Sequence, residues 1–209
     1  MNCAAVTTRQ TKRADEQRDR ILCAALRCFI EHGFHAASMA NIADTAQMSA
    51  GLMYRYFANK NAIVLAIIER QLEEKRCRIR MLQSSGDMTS ALLEAFDHWC
   101  TGERSGMNPA LFLEMSAEAT RDPQIAAALR ESDGVMREEF DAWFRRDARE
   151  GGLGFPPEVA AARALQLQFV VEGLVLRAVR EPGIDRARLD AAIRESVDRI
   201  LASRSSSIA

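Results

Sequence analysis

The 209-residue chain has no CxxC pair, only three histidines (His32, His35, His98), and no apolar run longer than the seven residues Ala62–Ile68. A bilayer-crossing helix needs about twenty apolar residues, so no membrane span is expected. Residues 1–20 scatter charges without an apolar block, which argues against a signal peptide. Zinc sites need closely spaced thiolates and imidazoles, which are missing, so no metal and no cofactor is expected. The five cysteines (Cys3, Cys23, Cys28, Cys77, Cys100) are then read as reduced thiols of a soluble cytoplasmic protein. Cys23 and Cys28, the one close pair, would point about 140° apart on a helix, which disfavours a direct bridge. A cysteine-based redox-sensing regulator is kept as an alternative.

Catalytic signatures are equally scarce. There is no phosphate-cradling glycine-rich loop and no GxSxG. Glu94 and His98 share a helix face at i, i+4, but the paired ExxH elements of a di-iron bundle are missing. No catalytic residue is assigned, and the chain is read as not an enzyme; an all-helical enzyme or protein adaptor is the rival reading.

What is present is a core-forming composition, 48% hydrophobic, and a hidden charge asymmetry. Residues 1–60 carry a net charge of +3 and the remainder −4, so an anionic partner is expected at the N-terminal end. Apolar spacings of three and four recur along the chain, without the alternation of a strand. The class read from this is all-α, with nine helices. The first is expected from Asp15 to His32, with Ile21, Ala25 and Phe29 on one face and Gly33 as a left-handed terminator. Ser38 and Ser49 cap two short helices, the second reaching Phe57. Later helices run from Lys60 to about Gln83, through Leu92–Phe96–Trp99, and from Pro109, then from Pro123 to about Arg149, Pro157 to Arg180, and after the Asp185 cap.

Residues 37–60 carry the function. Two short capped helices separated by Gln47–Met48–Ser49 form a helix-turn-helix pattern, in which the second helix enters the major groove. Ser49, Ala50 and Gly51 give that helix a small outward start at its positive dipole end. Tyr54 and Tyr56 are suited to phosphate or base-edge contact, or else to the core. Arg55 can bond guanine bidentately, and Lys60 is placed to anchor the backbone.

The stretch Arg18–Ile63, with its Ile-Leu-x-Ala-Ala helix, Phe29, Gly33–Phe34, Ile42–Ala43, Ser49, Tyr54-x-Tyr56-Phe57 and Lys60, resembles the DNA-binding domain of the tetracycline-repressor (TetR) family. The resemblance implies a dimeric, ligand-responsive regulator, usually a repressor, acting on a duplex operator in the cytoplasm on the nucleoid. It also implies DNA contacts at Ser38, Ser49, Gly51, Tyr54, Tyr56 and Lys60, with Leu52 and Arg55 at variable positions. Gln47 departs from the glycine usual in the turn. The organisation expected is an arm over 1–14, a DNA-binding domain over 15–60, a ligand-binding and dimerisation domain over 61–203, and a tail over 204–209.

Helical phase directs Phe96, Trp99, Phe112, Met115, Met136, Phe140 and Trp143 inward. Together with the polar His98, Gln168 and Glu172, they form the expected ligand site, a cavity that the family resemblance implies. A largely hydrophobic effector is expected, aromatic or cationic, the latter suggested by Glu114 and Glu172. For the homodimer interface the expected residues are Ala164, Val171, Gly173, Leu174, Leu189 and Ile193.

Overall fold

A computed structural model describes residues 3–101 and 108–202; the tail read over 204–209 lies outside the described residues. Among these residues there are nine α-helices and no strand: α1 (Cys3–Ala36), α2 (Met39–Thr45), α3 (Ala50–Tyr54), α4 (Lys60–Ser85), α5 (Met88–Thr101), α6 (Pro109–Ala119), α7 (Pro123–Arg145), α8 (Pro157–Arg180) and α9 (Arg186–Leu201), with a 3-10 turn at Ala148–Glu150.

Local chemistry accounts for most helix starts. Asp87, Asn108, Asp122 and Asp185 each accept a hydrogen bond from a backbone N–H two or three residues on, at 2.8–3.2 Å, which satisfies donors the helix itself cannot. α1 departs from expectation. It begins at Cys3, so the stretch read as an arm continues the helix. Gly33 interrupts it with φ 76 and ψ 162. That positive φ comes with an extended ψ, a region open essentially to glycine alone, rather than the left-handed α turn predicted. α7 holds phase through Gly134 but stops at Arg145, and Gly151, at φ 79 and ψ 20, closes the 3-10 turn that follows.

The chain divides into two compact units. The first comprises residues 1–70 and 114–128. Its core is built from Ile21, Ala25 and Phe29 of α1, Ile42 of α2, Met53 of α3 and Ile63 and Ile67 of α4, all buried. Each such large side chain contributes roughly 1.5–3 kcal/mol. The second comprises residues 71–113 and 129–209. Its core joins Leu92, Phe96 and Trp99 of α5, Trp143 and Phe144 of α7, Leu167 and Val175 of α8, and Leu189, Ile193 and Val197 of α9.

α8 is long and apolar enough, by length and composition alone, to cross a membrane, a feature that the count of consecutive apolar residues does not register. Ala160, Ala164, Leu167, Leu174 and Val175 of this helix are nevertheless packed in the unit's core, as one face of an amphipathic bundle helix is.

Candidate nucleic-acid interface and effector cavity

The helix-turn-helix is fixed by side chains that serve its backbone. Ser38 Oγ accepts from Asn41 N and Ser38 N donates to Asn41 Oδ1, each at 3.1 Å, a reciprocal capping box for α2. α2 then ends with Met48 N bonded to Ala43 O and Gln47 N to Asp44 O. These paired bonds form a Schellman closure whose left-handed position is Gln47, at φ 52. Ser49 caps α3 through Leu52 N at 3.3 Å. α3 has five residues and stops at Tyr54; in the turn predicted to continue it, Met53 O accepts a tightened bond from Tyr56 N at 2.9 Å and an α-type bond from Phe57 N at 3.1 Å.

α3 presents a small, polar-tipped outer surface. Met53 faces inward and is fully buried, while Ser49, Ala50, Gly51 and Arg55 are exposed and Tyr54 is 54% exposed. Space beside Gly51 is open. The alternative of a core role is thereby excluded for Tyr54, while Tyr56 is half-buried. Ser38 and Ser49 are committed to capping, though Ser49 uses only its oxygen as acceptor.

Lys60 is more occupied than its sequence position suggests. Its Nζ donates to Phe34 O at 2.6 Å and Ala37 O at 3.0 Å and lies 4.2 Å from the centre of the Phe34 ring. Burial holds its pKa below the ordinary lysine value, against an opposing pull from Glu118. Two of its three ammonium donors are thereby taken.

Three arginines of α1, read in the sequence only as positive charge, hold the turn in place. Arg18 reaches Tyr56 O at 3.4 Å and stacks 4.5 Å from the Phe57 ring; Arg20 reaches Gln47 O at 3.0 Å; Arg27 reaches Thr45 O at 3.3 Å. Cations at the carbonyl ends of α2 and α3 satisfy acceptors the helices leave over. From α6, Glu114 accepts from Phe34 N at 2.9 Å, beside the Gly33 break, and Glu118 lies 3.2 Å from His35 Nε2. Glu114 is thus a structural acceptor in the first unit and does not belong to a cation pocket.

The second unit holds a partly open cavity of about 200 Å³. Six residues of the predicted ligand set line it: Trp99, Phe112, Met136, Phe140, Gln168 and Glu172. The other four do not. Phe96 and Trp143 are buried in the packed core, with Trp143 Nε1 donating to Gly151 O at 3.0 Å. His98 is exposed, with Nδ1 at 2.8 Å from Glu94 O. Met115 is buried within the first unit. Helical phase selects the inward face but cannot separate a side chain that lines a void from one that fills it.

Lys75, Asp133 and Arg137 were missed and complete the polar wall. Arg137 Nη1 donates to Gln168 Oε1 at 2.8 Å, and Gln168 Nε2 donates to Glu172 Oε1 at 2.7 Å. Burial lowers the pKa of Lys75, against the attraction of Asp133 and Glu172, and raises that of Asp133, against the attraction of Lys75. The signal was available: Lys75 shares a face with Ile79 and Leu82, and Asp133 with Met136, Arg137 and Phe140.

A short helix with an exposed outer surface, presented on a braced turn, is the arrangement of a helix-turn-helix DNA-binding protein. Residues 21–67 match the family described as bacterial regulatory proteins, tetR family, and residues 91–202 match the BetI-type transcriptional repressor C-terminal domain. The chain belongs to the TetR family of transcriptional regulators. It is 34% identical over 157 residues to the HTH-type transcriptional regulator UidR of Escherichia coli K12, spanning 74% of this chain and 76% of that one. It is 29% identical over 143 residues to the HTH-type transcriptional activator FasR of Mycolicibacterium smegmatis, spanning 66% and 62%. Among solved structures, Salmonella enterica GusR superposes with a TM-score of 0.72 at 25% identity, over 89% of this chain and 95% of that one. Family and fold alike are those of DNA-binding regulators, not enzymes.

Proposed function

We propose that the protein is a ligand-responsive repressor. It binds an inverted-repeat duplex operator as a homodimer, with residues 15–60 on the DNA, and a small, largely hydrophobic effector in the second unit's cavity releases it. The observation that carries this reading is the exposed surface of α3, where Ala50, Gly51 and Arg55 can approach base edges while Ser49, Tyr54 and Tyr56 reach phosphates. Lys60 adds a phosphate contact with its remaining donor. α4 begins at Lys60 and carries Lys75, Ile79 and Leu82 of the cavity wall further along, so a ligand that shifts this helix bears on the DNA-binding end. A coupling of about 1–3 kcal/mol suffices for a switch of roughly 5–150-fold.

Selection of bound sites from random duplexes with the purified protein tests the reading. An inverted repeat should emerge, with affinity falling steeply as salt rises. Arg55→Ala should relax preference at one position in each half-site by about 1–3 kcal/mol. Equal losses at every base position would refute the base-reading role of Arg55. FasR, an activator by name, makes activation the second reading; a reporter driven from the selected site distinguishes the two by the sign of the response.

A further inference from the structure

The cavity's polar wall is balanced in charge. Lys75 and Arg137 face Asp133 and Glu172, and the formal sum is zero. Transfer of a proton from Lys75 to Asp133 would leave that sum unchanged, so the balance holds in either state of the pair. Arg137, Gln168 and Glu172 are already joined in a chain of hydrogen bonds. Lys75 and Asp133 attract one another without a direct hydrogen bond or ion pair among the described residues. Trp99 also lines the cavity; its indole Nε1 is buried and has no hydrogen-bond partner there. The rest of the lining is apolar, including Ile79, Leu82, Leu92, Phe112, Phe140 and Val175.

This arrangement asks for a ligand with both a donor and an acceptor at one end and no net charge. A carboxylate or an ammonium would leave one unbalanced charge in a partly enclosed, low-dielectric site, and such charges are costly. A neutral amide or hydroxyl can accept from Lys75 or Trp99 and donate to Asp133 while its apolar remainder fills the other wall. Building on the effector reading above, we propose that the cavity takes an uncharged amphiphile, an apolar chain or ring ending in an amide or hydroxyl group, and rejects the acid or amine of the same shape. Glu172, which together with Glu114 suggested a cation, is offset by Arg137 and Lys75.

Calorimetry on the full chain with octanamide, octanoate and octylammonium at neutral pH tests this. Octanamide should bind about tenfold or more tightly than either ion. Asp133→Asn leaves the wall one charge positive and should move the preference toward octanoate; Lys75→Met leaves it one charge negative and should move it toward octylammonium. Circular dichroism checks that each variant folds, and if one does not, the other variant and the wild-type ranking decide. Equal or tighter binding of either ion by the wild type overturns the proposal, as does saturable binding of none of the three, or a preference unmoved in a folded variant. A separate measurement bears on the effector reading alone: if octanamide binds selectively yet leaves operator affinity unchanged, the cavity chemistry stands and the effector role falls.

Discussion

Gln47 sits where an L-residue is disfavoured, at φ 52 in the turn between α2 and α3. A left-handed conformation costs a residue with a Cβ about 1–2 kcal/mol, part of which glycine returns through the larger entropy of its unfolded chain. Gln47→Gly should therefore stabilise the fold by up to about 1 kcal/mol, measured as a raised urea midpoint with an unchanged m-value. Operator affinity should hold, because Arg20 grips the carbonyl of residue 47, which glycine keeps; a loss of stability would show that the glutamine side chain contributes a contact of its own. The unusual backbone at this position was legible in the sequence, since the family pattern has glycine there. The roles of Arg18, Arg20 and Arg27 were not. Their targets are carbonyls 18 to 38 residues away, and no local spacing announces such a bond. Lys60 was read only as a phosphate anchor for the same reason: Phe34 O and Ala37 O reach it through the fold.

Among the helices, starts were more legible than faces. Capping is a local act, so Asn108–Pro109, Asp122–Pro123 and Asp185 could be read directly. The early start of α1 could not, because residues 3–14 hold a single large apolar side chain, Val6, and so show no apolar face at helical spacing. Asp87 shows what a cap does for stability. Its carboxylate accepts from Ser90 N at 2.9 Å, and hydrogen bonding to Ser90 holds its pKa below the usual aspartate value. A depressed folded-state pKa stabilises the protein above the unfolded-state value, and that contribution is lost as pH falls through the folded-state value. Asp87→Asn retains an acceptor at the cap but removes the titration. Urea unfolding across the acid range should therefore show a shallower loss of stability for this variant than for the wild type, and Asp87→Ala should be less stable than both at neutral pH. Parallel acid profiles for all three would mean that the bond to Ser90 does not shape acid stability.

At the scale of the whole molecule, the proposed dimerisation turns on which side of α8 is outward. The sequence shows two apolar rows on this helix and cannot say which meets its own core. Of the six residues expected to meet the partner, Ala164, Leu174, Leu189 and Ile193 are buried in the chain's own core, Val171 is half-buried, and Gly173 is exposed. The outward row runs through Leu165, 40% exposed, Phe169, 59% exposed, and Gly173, where nothing lies within 4 Å of an added Cβ. A large aromatic beside open backbone is suited to close helix approach across a two-fold axis, and Ala191 and Ala192 of α9 are exposed small residues suited to the same contact. Phe169→Glu would place a carboxylate at the centre of such a contact while leaving the chain's core intact, so it should yield a folded monomer by sedimentation and circular dichroism. Operator binding should collapse with it, since two half-sites about 34–36 Å apart need two linked heads. Leu174→Glu, by contrast, buries a charge in the core and should unfold the second unit rather than divide a dimer. A dimer that survives Phe169→Glu with undiminished operator affinity would move the interface off this row of α8.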